Sequence, residues 1–477
     1  DPDEDSEVFA NDVVPPRNSI EKKLAEIWRT VLGLETVGMH DNFFEIGGDS
    51  ILSIQIMAKV SQAGFKLAPN QIFQHQTITE LARVVETDNS LQAEQNEVTG
   101  TVPLTPIQQW FFEQSLANPQ QWNLAFLLEA PAGFQAQSFE RAINHVISHH
   151  DALRIKFEYT EAGWQQQIVG LTKDLKLEMV DLTALSADEQ TVAIQENARR
   201  LNAGFDLGRA PMFKACLFRL PEDQPKRLLV VVHHLLIDFI SWQILFEDIE
   251  TAYQHLSRGN PVELPAKTTS YKQWAESLLK VAQSKQNQAV LAYWLVADTQ
   301  TIKKLPVKES EKGANTEGSA QTVTVTLTVE ETRQFLYDVA DTYRTQARDL
   351  LLAALTAALG RWIGPGKILI GVEGHGRDAM HQQLDLSRTI GWFTAFYPIV
   401  LPIAVVTNYG DHIKTVKEQL RRVPNNGLDY GIARYLSDDP GIIDQLKRYQ
   451  PEVLFNYLGQ FDQMMARNGQ FKVLSTY

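Results

Sequence analysis

A single cysteine, Cys216, stands in 477 residues. One thiol excludes an internal disulfide and fits a reducing cytoplasm, the expected compartment. Set in FKACLF, it reads as a core residue. Basic residues are the minority sign: 44 Lys and Arg against 58 Asp and Glu, a net charge of −14. That balance argues against nucleic acid and anionic membrane as partners. There is no run of about 18 apolar residues, so no membrane span is expected. The chain also lacks an internal repeat, a heptad array, a low-complexity tract and the basic-then-apolar start of a signal peptide. What remains is ordinary globular composition, 44% hydrophobic and 21% charged. The length suits two to four domains.

Residues 1–16 are acidic and read as the tail of a preceding domain. Residues 17–88 read as a small helical domain. In NSIEKKLAEIWRTVLGL the apolar Ile20, Leu24, Ile27, Trp28, Val31 and Leu32 recur at helical spacing. Asn18 with Glu21 makes a cap-like start, and Gly33 is placed to stop the helix. A second helix follows Ser50 and ends at Gly64; a third follows Thr77. Residues 89–101, polar and poor in large apolar groups, read as a linker. From residue 102 helical stretches alternate with strand-like ones (KRLLVVVHH, TVTVTLT, KILIGVEG), which predicts mixed α/β layers. The polar TQTIKKLPVKESEKGANTEGSA predicts a loop between two lobes, about 102–275 and 276–477.

In FFEIGGDSILSIQ, Gly47 and Gly48 permit a sharp turn into a helix. Ser50 falls at that helix's N-terminus, where free N–H groups and the dipole favour a phosphate ester. A plain N-cap serine is the bland alternative. The segment resembles the attachment site of peptidyl carrier proteins of nonribosomal peptide synthetases. That resemblance implies a small all-α four-helix carrier bundle, 4′-phosphopantetheine on Ser50, Asp49 as its acidic neighbour, and a phosphopantetheinyl transferase as partner.

In VVVHHLLIDFISW a buried-looking strand ends in His233 and His234, with Asp238 before the next helix. Histidine suits proton transfer near neutrality because its ordinary pKa is about 6.5. Two core histidines, or a metal site, are the alternatives. The H-H-x-x-x-D pattern resembles the condensation-type superfamily related to chloramphenicol acetyltransferase, with its two-lobed α/β fold. The resemblance implies His234 as catalytic, His233 as support, and Asp238 as structural and paired with an arginine, here matched by Arg154 in HHDALR. His149 and His150 read as structural. Where the family keeps glycine after the aspartate, this chain has Phe239, expected at the edge of the substrate channel.

PIQQWFFEQ, ARDLLLAALTAALGRW, GVEGHGRD, RTIGWFTAFYP, PNNGLDYG and FNYLGQFD resemble, in order, the motifs of epimerization domains; Asp378 replaces the usual last glutamate of the third. The resemblance implies inversion at Cα of a carrier-bound aminoacyl or peptidyl thioester. Inversion needs a proton carrier on each face and donors for the enolate oxygen. His234 is expected on one face and Glu373 on the other, with its pKa raised by burial; His375 is an alternative second base. Asn456 and Tyr457 are candidate donors, or packing residues between lobes. Trp392 and Phe393 read as core. An upstream adenylation domain and a downstream condensation domain accepting the D residue are the implied neighbours. The family domain runs on past Tyr477, so the expected C-terminus is incomplete. Amide-forming condensation and a catalytically impaired docking scaffold are the alternative readings.

Overall fold

Asn18 caps the first helix, α1 (Ser19–Leu32), by accepting from the Glu21 N–H, and Gly33 closes it in the left-handed region at φ 67°. Three more helices complete the small domain: α2 (Ser50–Gln62), α3 (Gln71–Gln74) and α4 (Ile78–Val84). Trp28, Phe43, Ile56, Val60, Ile72 and Leu81 form its separate core, each with at most 1% of its surface exposed. The computed structural model describes residues 14–67, 71–87, 93–170, 173–295, 301–307, 316–377, 384–459 and 470–476.

The first lobe is a five-stranded sheet in the order Lys472–Thr476, Asn123–Glu129, Arg227–His233, Phe213–Arg219, Glu178–Asp181. Its central strand, Arg227–His233, is buried at six of seven positions. Helices Ala136–His149 and Phe239–Ser257 pack on one another against it. Buried Cys216 lies in this core, and desolvation lifts its thiol pKa to about 12, as expected of an inert core residue. The second lobe centres on Gly366–Gly374, antiparallel to Ala395–Ile403 and parallel to Val453–Phe455. No helix among the described residues is long and apolar enough to cross a membrane.

Three expectations change. The linker read over 89–101 is docked in its second half. Gln95 and Lys267 exchange backbone-to-side-chain hydrogen bonds at 2.9 Å, and Gly100–Val102 forms a strand with Gly163–Ile168. Polar composition signals exposure, and it is blind to a partner 170 residues away. Residues 322–328, read as a strand, belong to no described sheet; Val323 and Val325 are 89% and 85% exposed. β-propensity is realised only against a partner edge. The last strand, Lys472–Thr476, pairs with Asn123–Glu129 and so lies in the first lobe rather than the second.

Candidate active site at the lobe seam

The central strand of the first lobe delivers both motif histidines to its end. His233 is wholly buried; Nε2 donates to the Pro119 carbonyl at 2.9 Å and Nδ1 accepts from the Leu235 N–H at 3.1 Å. Both nitrogens are committed, and burial pushes its pKa down to about 4, so the ring is a neutral structural piece. His234 opens the tight turn His234–Leu236 and is half-buried. Desolvation lowers its pKa too, which keeps the imidazole neutral and able to accept a proton. Its Nδ1 is buried and has no hydrogen-bond partner among the described residues. The ring rests on Trp392, centroids 4.4 Å apart.

Asp238 is buried and hydrogen-bonded, and its arginine differs from the one the motif implies. Arg377, completely desolvated, donates to Asp238 Oδ1 at 3.1 Å and to Ser241 Oγ at 2.7 Å. It also donates to the carbonyls of Leu386 and Thr389. Asp238 further accepts from the N–H groups of Ser241 and Phe393. This hub ties the histidine turn to the segment that carries Trp392. Arg154 instead donates to the carbonyls of Val98 and Val169 and to Glu97. It pins the start of the large domain, and the expected Arg154–Asp238 pair does not form. The family resemblance points to the arginine in HHDALR, whereas the fold brings up one 139 residues away from Asp238.

His149, His150 and Asp248 offer ligand atoms within 4.8 Å of one another. Arg388 holds Asp248 as well as Glu247, so a cation already occupies that carboxylate. His150 also meets this carboxylate, its Nε2 2.7 Å from Asp248 Oδ2.

Glu373 lies within the central strand of the second lobe, one residue from its end. Burial raises its pKa, and Asn456 donates to Oε2 at 2.8 Å. Asn456 therefore holds the glutamate rather than standing free for a substrate oxygen. Tyr457 is next along, with its pKa pushed up to about 12 by burial, so its hydroxyl keeps its proton. Phe396 is the cross-strand partner of Glu373, and such partners share a face. Between Trp392 and Phe396 opens a small apolar cleft, also lined by Trp110 and Trp274. Neither His234 nor Glu373 lines this cleft itself; a ring neighbour of each does. Phe239 is the first residue of helix Phe239–Ser257, half-buried and not a lining residue. Asp378 lies outside the described residues.

The small domain sits against this seam. Ser61 donates to Asp385 at 3.2 Å. Tyr337 fills the space beside Gly47: a Cβ there, already strained at φ 101°, would lie 3.1 Å from its ring. A Cβ on Gly459 would come 2.9 Å from Ile51 and 3.3 Å from Asp49 Oδ2. The start of α2 thus faces the loop that follows Asn456 and Tyr457. Asp49 caps α2 through the N–H groups of Ile51 and Leu52. Its other oxygen is buried and without a partner among the described residues, and desolvation raises its pKa. A capped 13-residue helix with Ser50 as its first residue fits a phosphate ester.

A two-lobed α/β domain with a histidine turn at the seam, preceded by a four-helix domain opening a serine-led helix, defines a carrier–condensation class of protein. The comparisons agree. The condensation-domain family matches residues 98–475 and the phosphopantetheine attachment site matches 22–85. The chain belongs to the condensation-domain family and carries its own phosphopantetheine attachment domain, which implies 4′-phosphopantetheine on a serine. Linear gramicidin synthase subunits D and C of Brevibacillus parabrevis are 43% and 47% identical over 98% and 96% of this chain. The chain spans only 9% and 6% of their lengths. The epimerization domain from the third module of tyrocidine synthetase B is 35% identical with a TM-score of 0.71, covering 77% of this chain and 82% of that one. The X-domain from teicoplanin biosynthesis, 20% identical with a TM-score of 0.59 over 77% of each chain, shares the fold.

Sequence reading missed Arg377, Trp392 as a neighbour of His234, and Tyr337. Arg377 stood in the quoted GVEGHGRD, where a lone cation after a glycine-rich turn was the available signal. Tyr337 carried none.

Proposed function

We propose that this chain inverts Cα of an aminoacyl or peptidyl thioester carried on Ser50 through 4′-phosphopantetheine. The carrying observation is Glu373: a desolvated carboxyl with a raised pKa, held by Asn456, beside the loop that meets the carrier helix. Amide formation has no use for a second proton carrier opposite His234; inversion requires one. When bound, the prosthetic group supplies the thioester that acidifies the Cα–H. His234, kept neutral by burial, accepts a proton from one face. Glu373, kept protonated to higher pH by burial, delivers one to the other, and the roles reverse for the opposite isomer. Tyr457 retains the proton with which it can hydrogen-bond the enolate oxygen. An upstream adenylation domain supplies the L residue, a downstream condensation domain draws off the D form, and a phosphopantetheinyl transferase modifies Ser50.

Deuterium wash-in at Cα of the loaded protein tests this. Exchange without a second substrate supports inversion; amide formation only when an acceptor amine is added would show condensation, and neither would leave a docking scaffold. Ser50→Ala is expected to abolish the mass gain on treatment with coenzyme A and a phosphopantetheinyl transferase. A full gain in the variant would place the group elsewhere. Phe239→Gly is expected to raise the exchange rate with the melting temperature kept, because a ring at the channel edge slows thioester access. An unchanged rate would show that Phe239 plays no part in the channel.

A further inference from the structure

We infer that the cleft between Trp392 and Phe396 receives the side chain of the tethered residue, and that this residue is apolar. The inference rests on the inversion reading above and names its substrate class. Trp392 packs on His234, and Phe396 is the cross-strand neighbour of Glu373. A Cα held between the two proton carriers therefore projects its side chain toward the rings that adjoin both. None of the residues lining the cleft is charged. Two of its hydroxyls are already engaged: Thr105 with Tyr271 at 3.3 Å and Tyr435 with Glu113 at 3.0 Å. Trp110 closes the space, 5.6 Å from Phe396 and 6.4 Å from Trp392, centroid to centroid. A charged side chain entering this cleft would lose its water and find no countercharge among the lining residues. An aliphatic or aromatic one would trade water for ring faces, the usual composition of small-molecule sites.

The test uses pantetheine amides of Phe, Leu, Asp and Lys, with NH in place of the thioester sulfur. They are titrated calorimetrically into the unmodified protein, alongside Cα deuterium exchange on protein loaded with the same four residues. The Phe and Leu amides are expected to bind about 10- to 100-fold more tightly than those of Asp and Lys, the scale of burying an unpaired charge; exchange should rank the same way. Trp110→Arg is expected to reverse the order of Phe and Asp. Trp110→Ala, which adds space without charge, keeps the apolar preference and serves if the arginine variant does not fold. Equal binding and equal exchange for all four residues would overturn the side-chain cleft and leave inversion standing. The binding preference without exchange of any residue would sink inversion while retaining the cleft as a binding site. Neither preference nor exchange would remove both.

Discussion

Glu373→Gln and His234→Ala are each expected to slow Cα inversion by about 10²–10⁴-fold, the usual contribution of a positioned acid or base. The two losses should differ in direction when exchange is followed from the L and the D substrate separately. A single remaining base can still wash a proton in and out on its own face, so partial exchange without inversion is the signature of a two-base site. Glu373→Gln retaining inversion in both directions would end the two-base account. The substitution is a clean probe because it keeps the hydrogen-bonding shape. It should also be neutral or favourable for stability at pH 7. Burial raises the carboxyl pKa in the folded chain, so ionised Glu373 costs the folded state, and that cost grows as pH rises. A melting temperature that falls sharply in this variant would assign the residue to structure. The pH profile of exchange should be bell-shaped. In acid both groups hold protons and no base remains; in alkali both have lost them and no acid remains.

Arg377→Ala is expected to destabilise the large domain by about 3–5 kcal/mol, the effect of leaving one partner of a buried ion pair uncompensated. The loss should show in thermal melts and in the near-ultraviolet signal of Trp392 beside His234. A double-mutant cycle separates the two arginines. Asp238→Asn combined with Arg377→Met should show a coupling of about 1–3 kcal/mol, whereas Asp238→Asn with Arg154→Met should be additive. Coupling in the second cycle and none in the first would restore the arrangement inferred from motif order. Arg154 has its own work: its donors satisfy the carbonyls of Val98 and Val169 and hold Glu97. Its loss should loosen the junction between the two domains without moving Asp238.

The difference between the arginines marks how far a sequence can be read. The turn IGGDS, the cap at Asn18, the stop at Gly33 and the strand that ends in His233 and His234 were all legible, because each is decided within a few residues by backbone sterics, capping or an apolar run. The raised pKa of Glu373 is an expectation of the chemistry rather than of its setting, because a carboxyl can act as an acid near neutrality only where burial holds its proton. Partner choice was not legible. Arg154 and Arg377 are chemically identical, and only the packing of the second lobe against the first brings one of them to Asp238. On sequence Asn456 is a candidate donor or a packing residue between lobes; the strand pairing of Val453–Phe455 with Gly366–Gly374 brings it to Glu373. The same holds for residues 322–328, whose Thr–Val alternation specifies a strand only if a neighbouring edge accepts it.

The sequence by itself determined both ends of α1, the serine-led start of α2, the histidine turn and the glutamate strand, because those follow from short-range sterics and hydrogen bonding. Tertiary structure alone decided which arginine neutralises Asp238, which ring lies on His234, and how the start of α2 meets the Gly459 loop. Those contacts join residues more than a hundred positions apart, and their energies depend on burial and countercharge that exist only once both lobes have packed.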